Sequence, residues 1–151
     1  MRVVLGSGSL LGALLNPNAT AARLLDAWPA GRFVLVTSAE QLLELGNAAR
    51  RPPLRGLIVP ANVARFINDL RELAQVITRL PVSEPGRPMG QPGRPMGQPG
   101  GPMGQPLTLA MAAAGRCDYL VSSDRQLLSL KKHGATHIVT ALQLLDTLYS
   151  A

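Results

Sequence analysis

The sequence predicts an α/β protein with three layers, in which helices cover both faces of a central, mainly parallel sheet. Short apolar runs alternate along the chain with helical segments, and this order produces parallel strands joined by crossover helices. The length of 151 residues suits one domain, and a hydrophobic fraction of 46% is enough for a sizeable core. We therefore expect residues 1–151 to form a single domain.

Four elements are predicted in the first 36 residues. The strand Arg2–Leu5 comes first, because it is a short, mostly apolar run that ends at a glycine. A glycine-rich turn at 6–9 follows it. Two helices at 10–15 and 20–28 then lead to a second strand at 33–36.

The middle of the chain is predicted to be mainly helical. Thr37 and Glu40 fit a capping box, in which a hydroxyl and a carboxylate satisfy free backbone N–H groups, so a helix should begin there and end near Arg50. Apolar residues at helical spacing predict a long amphipathic helix over 60–78. A short strand at 80–82 follows.

The last third of the chain returns to alternating helices and strands. The predicted elements are a helix at 107–114, a strand at 119–122, a helix from Asp124 to about residue 132, a strand at 137–140 and a final helix to residue 149. Gly115 is expected to end the first of these helices. Thr140 and Gln143 form a second capping box at the start of the last helix.

A tandem repeat separates the two halves. Gly-Arg-Pro-Met-Gly-Gln-Pro occurs at 86–92 and again at 93–99, and Gly-Gly-Pro-Met-Gly-Gln-Pro follows at 100–106. Proline and glycine at this density disfavour both helices and strands, so we expect 84–106 to be a flexible, partly extended surface loop inserted in the domain. A proline-rich docking peptide is the alternative interpretation.

Composition limits the partners and the location of the protein. A formal net charge of +6 makes a polyanion such as nucleic acid a plausible partner, although many basic proteins bind nothing anionic. Cys117 is the only cysteine, which excludes a disulfide within the chain and predicts a buried, inert thiol. The sequence shows no signal-peptide pattern at its start and no apolar run near about 18 residues, so we expect a cytoplasmic protein without a membrane segment.

Several stretches of the chain share one resemblance. They are residues 1–5, 10–17, the helix around 42–45, the run 112–124 with the leucine-rich 127–130, and the closing 138–140 with its helix. With these stretches the chain resembles the PIN-domain family, in its subgroup of toxin components of bacterial type II toxin–antitoxin systems. The resemblance covers nearly the whole chain outside 84–106.

The resemblance implies a PIN-like fold and a Mg²⁺- or Mn²⁺-dependent endoribonuclease activity. In such proteins about four acidic side chains at the carboxyl edge of the sheet hold the metal, which activates water for attack on an RNA phosphodiester. RNA, a cognate antitoxin protein and a second copy of the chain in a homodimer are the partners that this resemblance implies.

Two of the family's carboxylates are retained here. The second corresponds to Glu44 and the fourth to Asp124, so these two residues are the candidate metal ligands and catalytic residues. Ser122 and Ser123 precede Asp124 where the family has Thr-Gly, and they are the candidate supporting residues.

Two other acidic positions are degenerate. The family's Asp-Thr-Asn pattern after the first strand reads Gly6-Ser7-Gly8, and the third acidic position corresponds to Gln105, in the last repeat unit. No acidic residue lies between Glu84 and Asp118. Mg²⁺ requires oxygen ligands in near-octahedral geometry, so we expect RNA hydrolysis to be weakened or absent.

Alternative interpretations remain for these residues. Asp124 is also a good N-cap, and Glu44 is also explained as a solvated helix residue. The alternative function is a non-catalytic PIN-like module that binds an antitoxin or RNA. A nucleotide-binding protein is a further alternative, since the glycine-rich turn at 6–12 could cradle phosphate, but no acidic residue ends the second strand. Basic side chains at two helix ends can contact RNA phosphates or simply be solvated; they are Arg50, Arg51, Lys131 and Lys132.

Overall fold

The computed structural model describes residues 1–52, 54–77 and 105–150, with only the backbone described for Gln105 and Pro106. In chain order, the elements of these residues are β1 (Arg2–Leu5), α1 (Ser7–Leu15), α2 (Thr20–Ala27), β2 (Val34–Ser38), α3 (Ala39–Ala49), α4 (Pro60–Leu73), β3 (Gln75–Ile77), α5 (Gln105–Ala114), β4 (Tyr119–Val121), α6 (Arg125–Leu130), β5 (Lys132–His133), β6 (Thr136–Val139) and α7 (Ala141–Tyr149).

The six strands form one sheet in the order β3-β2-β1-β4-β6-β5. All neighbouring pairs are parallel except β5 and β6, which are antiparallel. Strand β1 lies between β2 and β4, with Val3 opposite both Leu35 and Tyr119. The predicted α/β class and mainly parallel sheet are confirmed.

Both faces of the sheet are buried, as in a three-layer α/β/α fold. Alternate residues of β1 enter different cores: Val3 and Leu5 pack on one face, and Val4 packs on the other. The first core is closed by helices α1, α2, α3, α4 and α7, and the second by α5 and α6. This two-sided burial explains why β1 is a continuous apolar run rather than an alternating one.

The long helix predicted over 60–78 is shorter, and a strand takes its last residues. Helix α4 ends at Leu73, and Ala74 adopts an extended conformation with φ −85° and ψ 161°. The β-branched pair Val76 and Ile77 then adds to the edge of β2, where pairing and packing outweigh helical spacing. The strand predicted at 80–82 lies outside the described residues.

The helix predicted from Asp124 to residue 132 also ends early. Helix α6 stops at Leu130, and Lys131 takes a positive φ of 60°. Lys132 and His133 form β5, which a turn at Gly134 (φ 60°) joins to β6. The helical spacing of these residues does not predict the hairpin, because β5 forms only by pairing with β6.

The remaining predictions differ in small ways. Strand β2 ends at Ser38, two residues beyond the predicted end, and the Thr140–Gln143 capping box is present. Gln105 and Pro106 begin helix α5, so the loop prediction is wrong for these two residues; proline is tolerated in a first helical turn. The rest of the predicted loop, 84–104, lies outside the described residues.

Cys117 is buried, as predicted. Burial raises the pKa of its thiol to about 11, so the thiol stays protonated near neutral pH and is a poor nucleophile. Among the described residues, no helix has both the length and the apolar character needed to cross a membrane.

Candidate functional site at the carboxyl edge of the sheet

The carboxyl ends of three neighbouring strands meet at one edge of the sheet. Gly6 follows β1, Ser38 ends β2 and Ser122 follows β4. The Gly6 N–H donates to the Val121 carbonyl at 2.9 Å, which ties the end of β1 to the end of β4. Helices α1, α3 and α6 all begin here, so their N-termini gather at this edge.

Glu44 faces the first helical turn after β1. Its Oε1 accepts a hydrogen bond from the Ser7 hydroxyl, and the Glu44 side chain is half-buried. The structure therefore brings the second acidic position of the resemblance into contact with the segment that should carry the first. Here a serine hydroxyl, rather than a carboxylate, meets Glu44.

Gln41 joins these groups to the sheet, a role that the sequence patterns did not predict. Its side chain is 1% exposed, and its Nε2 donates to the Leu5 carbonyl at 2.7 Å and to Ser7 Oγ at 3.5 Å. Its Oε1 accepts from the Thr37 hydroxyl at 2.7 Å. The available signal was the position of Gln41, which shares the buried side of α3 with Leu42 and Leu45.

The predicted capping box at Thr37 and Glu40 is wrong. Ser38 is the N-cap of α3, and its hydroxyl oxygen accepts from the Gln41 N–H at 3.1 Å. The chain stays extended one residue longer because Thr37 and Ser38 pair with β3. Glu40 consequently falls in the first turn of α3, and its Oε1 is buried without a hydrogen bond from any described residue.

Asp124 lies at the start of α6, beyond β4. Its Oδ1 accepts from the Gln126 N–H at 2.8 Å and the Leu127 N–H at 3.2 Å, so it is the N-cap of this helix. The Asp124 N–H donates to the buried Ser122 hydroxyl at 2.9 Å, whereas Ser123 is exposed. Ser122 therefore shapes the turn, and Ser123 is open to solvent.

The predicted glycine-rich turn at 6–9 is wrong, because α1 already begins at Ser7. Gly6 is the N-cap, with an ordinary φ of −61°, and a Cβ there would lie 3.4 Å from the Val121 carbonyl oxygen. Gly8 is exposed, and a Cβ there would have no atom within 4 Å. Both positions could hold larger side chains. The nucleotide-binding alternative requires a glycine-rich loop that cradles phosphate before the helix. Residues 6–12, which the structure describes, contain no such separate loop.

The donor set does not fit the metal that the resemblance implies. Glu44 and Asp124 are both engaged, one by the Ser7 hydroxyl and the other by backbone N–H groups. In the part of the chain that the structure describes, no three His, Cys, Asp or Glu residues lie together in a group able to hold a metal ion. Gln105, at the third acidic position, begins α5 and offers no carboxylate. A four-carboxylate Mg²⁺ or Mn²⁺ centre cannot be built from these residues.

Two other features lie apart from this edge. Asp118 precedes β4 at the opposite end of the strand, and its Oδ2 accepts from the Arg2 N–H at 2.8 Å. A cleft of about 400 Å³ lies between α2 and α7, and it is lined by none of the predicted site residues.

No family model, no curated protein and no solved structure matches the chain. The relation to PIN domains therefore stays a hypothesis, and it rests on the sequence motifs described above.

Proposed function

We propose that this chain is a PIN-like, toxin-type protein that binds RNA at the carboxyl edge of its sheet and has lost efficient RNA hydrolysis. The contact between Ser7 and Glu44 is the observation that carries the proposal, because it joins two positions that the resemblance assigns to one site. A cognate antitoxin protein and a homodimer belong to the same proposal.

The weakness of hydrolysis follows from the donor set. Two carboxylates replace about four, so a divalent ion would depend on water and RNA phosphate for most of its ligands. Loss of outer-shell partners alone commonly costs about 10–100-fold in activity, and loss of direct ligands costs at least as much. Binding can survive this loss, because phosphate recognition does not require the metal.

Several groups at the edge favour RNA binding. The N-terminus of α1 has no side-chain cap, and it presents its first backbone N–H groups and the positive end of its helix dipole. The exposed Ser123 hydroxyl and Arg125 guanidinium stand beside Asp124. The net charge of +6 adds a long-range attraction for polyanions.

Cleavage and binding assays on one labelled single-stranded RNA test the proposal. We expect binding by fluorescence anisotropy, and no Mn²⁺-dependent cleavage above that of a Glu44→Gln, Asp124→Asn double variant. Ser123→Ala with Arg125→Gln should weaken binding several-fold, whereas Arg23→Gln with Thr147→Ala, on the side of the cleft, should leave it unchanged. Cleavage that requires Mn²⁺ and vanishes in the double variant would contradict the loss of hydrolysis; absence of RNA binding would contradict the proposal as a whole.

A partial restoration of the site tests its location. Gly6→Asp with Gln105→Asp returns the two missing carboxylates, and the space beside Gly6 admits a side chain. We expect this variant to bind Mn²⁺ in calorimetry more tightly than the parent chain. Gly12→Asp with Gln105→Asp is the matched control, because Gly12 lies further along α1, and a Cβ there meets no atom within 4 Å. Equal Mn²⁺ binding by both variants would show that the site is misplaced.

A further inference from the structure

A basic loop joins α3 to α4 on a part of the surface that the proposed RNA site does not use. We call residues 50–52 and 54–59 the arginine loop. Arg50, Arg51 and Arg55 are exposed, and so are Leu57 and Val59, with 67% and 58% of their surfaces open to solvent. Cationic and aliphatic side chains are thus exposed together on one short loop.

The backbone of the arginine loop is held by its own hydrogen bonds and by two anchors. The N–H groups of Leu54 and Arg55 both donate to the Arg51 carbonyl at 2.9 Å, and the Leu57 N–H donates to the Leu54 carbonyl at 2.9 Å. Leu54 packs against the first core, and Ile58 is buried in it. The exposed cations and aliphatic groups are thus presented by a fixed backbone, which lowers the entropic cost of binding.

The chain segment that contains the loop carries charge of one sign. Residues 45–68 contain four arginines and no acidic residue. Among the residues that the structure describes, none forms an ion pair with Arg50, Arg51 or Arg55. The whole chain carries a net charge of +6, so a second copy would be repelled from this surface.

The loop is also separated from the proposed RNA site. Helix α3 starts at the carboxyl edge and has 11 residues, and at a rise of 1.5 Å per residue it carries the chain roughly 16 Å away. RNA phosphates would use the guanidinium groups here but would leave Leu57 and Val59 in water. A protein segment with both carboxylates and aliphatic side chains satisfies all five groups.

We propose that the arginine loop is a docking surface for an acidic, aliphatic-rich segment of a partner protein. Carboxylates of that segment pair with Arg50, Arg51 and Arg55, and its aliphatic side chains cover Leu57 and Val59. The pairing of charge with apolar contact distinguishes this site from general attraction between a basic protein and any polyanion.

Binding of synthetic peptides to the full chain tests the docking surface. The probe is a labelled peptide that alternates glutamate with leucine, compared with one that alternates glutamate with serine. We expect the leucine peptide to bind more tightly, and Leu57→Ser with Val59→Ser to remove most of that preference. Arg50→Gln, Arg51→Gln and Arg55→Gln together should weaken binding of both peptides by about tenfold or more. Arg23→Gln, Lys131→Gln and Lys132→Gln remove the same charge elsewhere and should leave affinity nearly unchanged.

Charge reversal and other anionic probes complete the test. With Arg50→Glu, Arg51→Glu and Arg55→Glu, the loop should bind a peptide that alternates lysine with leucine in preference to the acidic peptide, which also shows that the variant is folded. The proposal fails if the control triple variant loses as much affinity as the loop variant. It also fails if single-stranded RNA, or vesicles containing phosphatidylserine, bind at this loop more tightly than the acidic peptide does.

Discussion

At the residue scale, buried polar side chains at the carboxyl edge decide how the site is arranged. Gln41, Thr37 and Ser38 are almost fully buried, and the hydrogen bonds of Gln41 reach a strand, a hydroxyl and the first turn of α1. Such groups are stable inside a protein only when they are paired. Gln41 is therefore the residue that fixes Ser7 against Glu44.

Removal of the Gln41 amide should cost stability. In Gln41→Leu the Leu5 carbonyl and the Thr37 hydroxyl lose their partners, and each unpaired buried group costs about 1–3 kcal/mol. We expect the free energy of unfolding in urea to fall by about 2 kcal/mol or more. Gln126→Leu, at an exposed position of α6, is the control and should change it by less than about 0.5 kcal/mol. Equal effects would argue against the Gln41 network.

Two glycines should respond oppositely to alanine. A Cβ at Gly115 would lie 3.0 Å from Val36 Cγ1 and 3.1 Å from the Met111 carbonyl oxygen, so Gly115→Ala should destabilise the fold by about 1–3 kcal/mol. A Cβ at Gly12 meets no atom within 4 Å, so Gly12→Ala should stabilise α1 by about 0.5–1 kcal/mol. Thermal unfolding of both variants shows whether the melting temperature falls or rises. A shift of both melting temperatures in one direction would contradict the packing around Gly115.

The buried Cys117 thiol gives a pH dependence with a defined sign. Burial raises its pKa from 9.0 to about 11 in the folded chain, so folding favours the protonated thiol. Its contribution is complete below pH 9 and is lost as the pH rises from 9 towards 11. We therefore expect the stability difference between the parent chain and Cys117→Ala, measured in urea, to shrink over this interval. A constant difference would mean that the thiol is not desolvated by folding.

At the element scale, the sequence could predict the elements that depend on local signals. A few adjacent residues are enough to predict the apolar strand β1, the amphipathic helix α2 and the capping box of α7. Each of these is present. The failures involve neighbours that are distant in sequence. Strand β3 forms because β2 offers it an edge, and β5 forms because β6 does. Neither pairing can be read from spacing alone.

Two substitutions at Asp124, the N-cap of α6, distinguish the effect of the cap on stability from the effect of the charge. Asp124→Ala removes the acceptor for two backbone N–H groups and should cost about 1 kcal/mol of stability in urea unfolding. Asp124→Asn should retain most of this stability, because asparagine is an equally good N-cap, while it removes the charge. Ser123→Ala, at the exposed neighbour, is the control for the turn. A loss in the asparagine variant as large as in the alanine variant would show that the charge, rather than the cap, stabilises this turn.

At the scale of the whole molecule, the mainly parallel sheet follows from general rules, but the strand order and the content of the site do not. Alternating strands and helices predicted a parallel sheet, and the rule that ligands bind at the carboxyl edge directed attention to the ends of its strands. The contact of Glu44 with Ser7 depends on the direction of two side chains from different elements, and the role of Gln41 depends on its burial. These are properties of packing, which a residue-by-residue pattern does not contain.

The proposed RNA binding should depend strongly on salt. A protein with a net charge of +6 releases counterions when it binds a polyanion, so the logarithm of the RNA association constant should fall linearly with the logarithm of the NaCl concentration. Anisotropy titrations at several NaCl concentrations measure the slope. A slope near zero would indicate that the phosphate backbone makes no contact with the protein.

The central position of β1 has a consequence for synthesis on the ribosome. The hydrogen bond from the Arg2 N–H to Asp118 joins residues 116 positions apart, and residues 3–5 of β1 pair with β4. The nascent chain thus exposes a largely apolar strand long before that strand's second neighbour is translated. We expect the protein to depend on chaperones during translation, because a strand with one unpaired edge is prone to aggregate until β4 arrives.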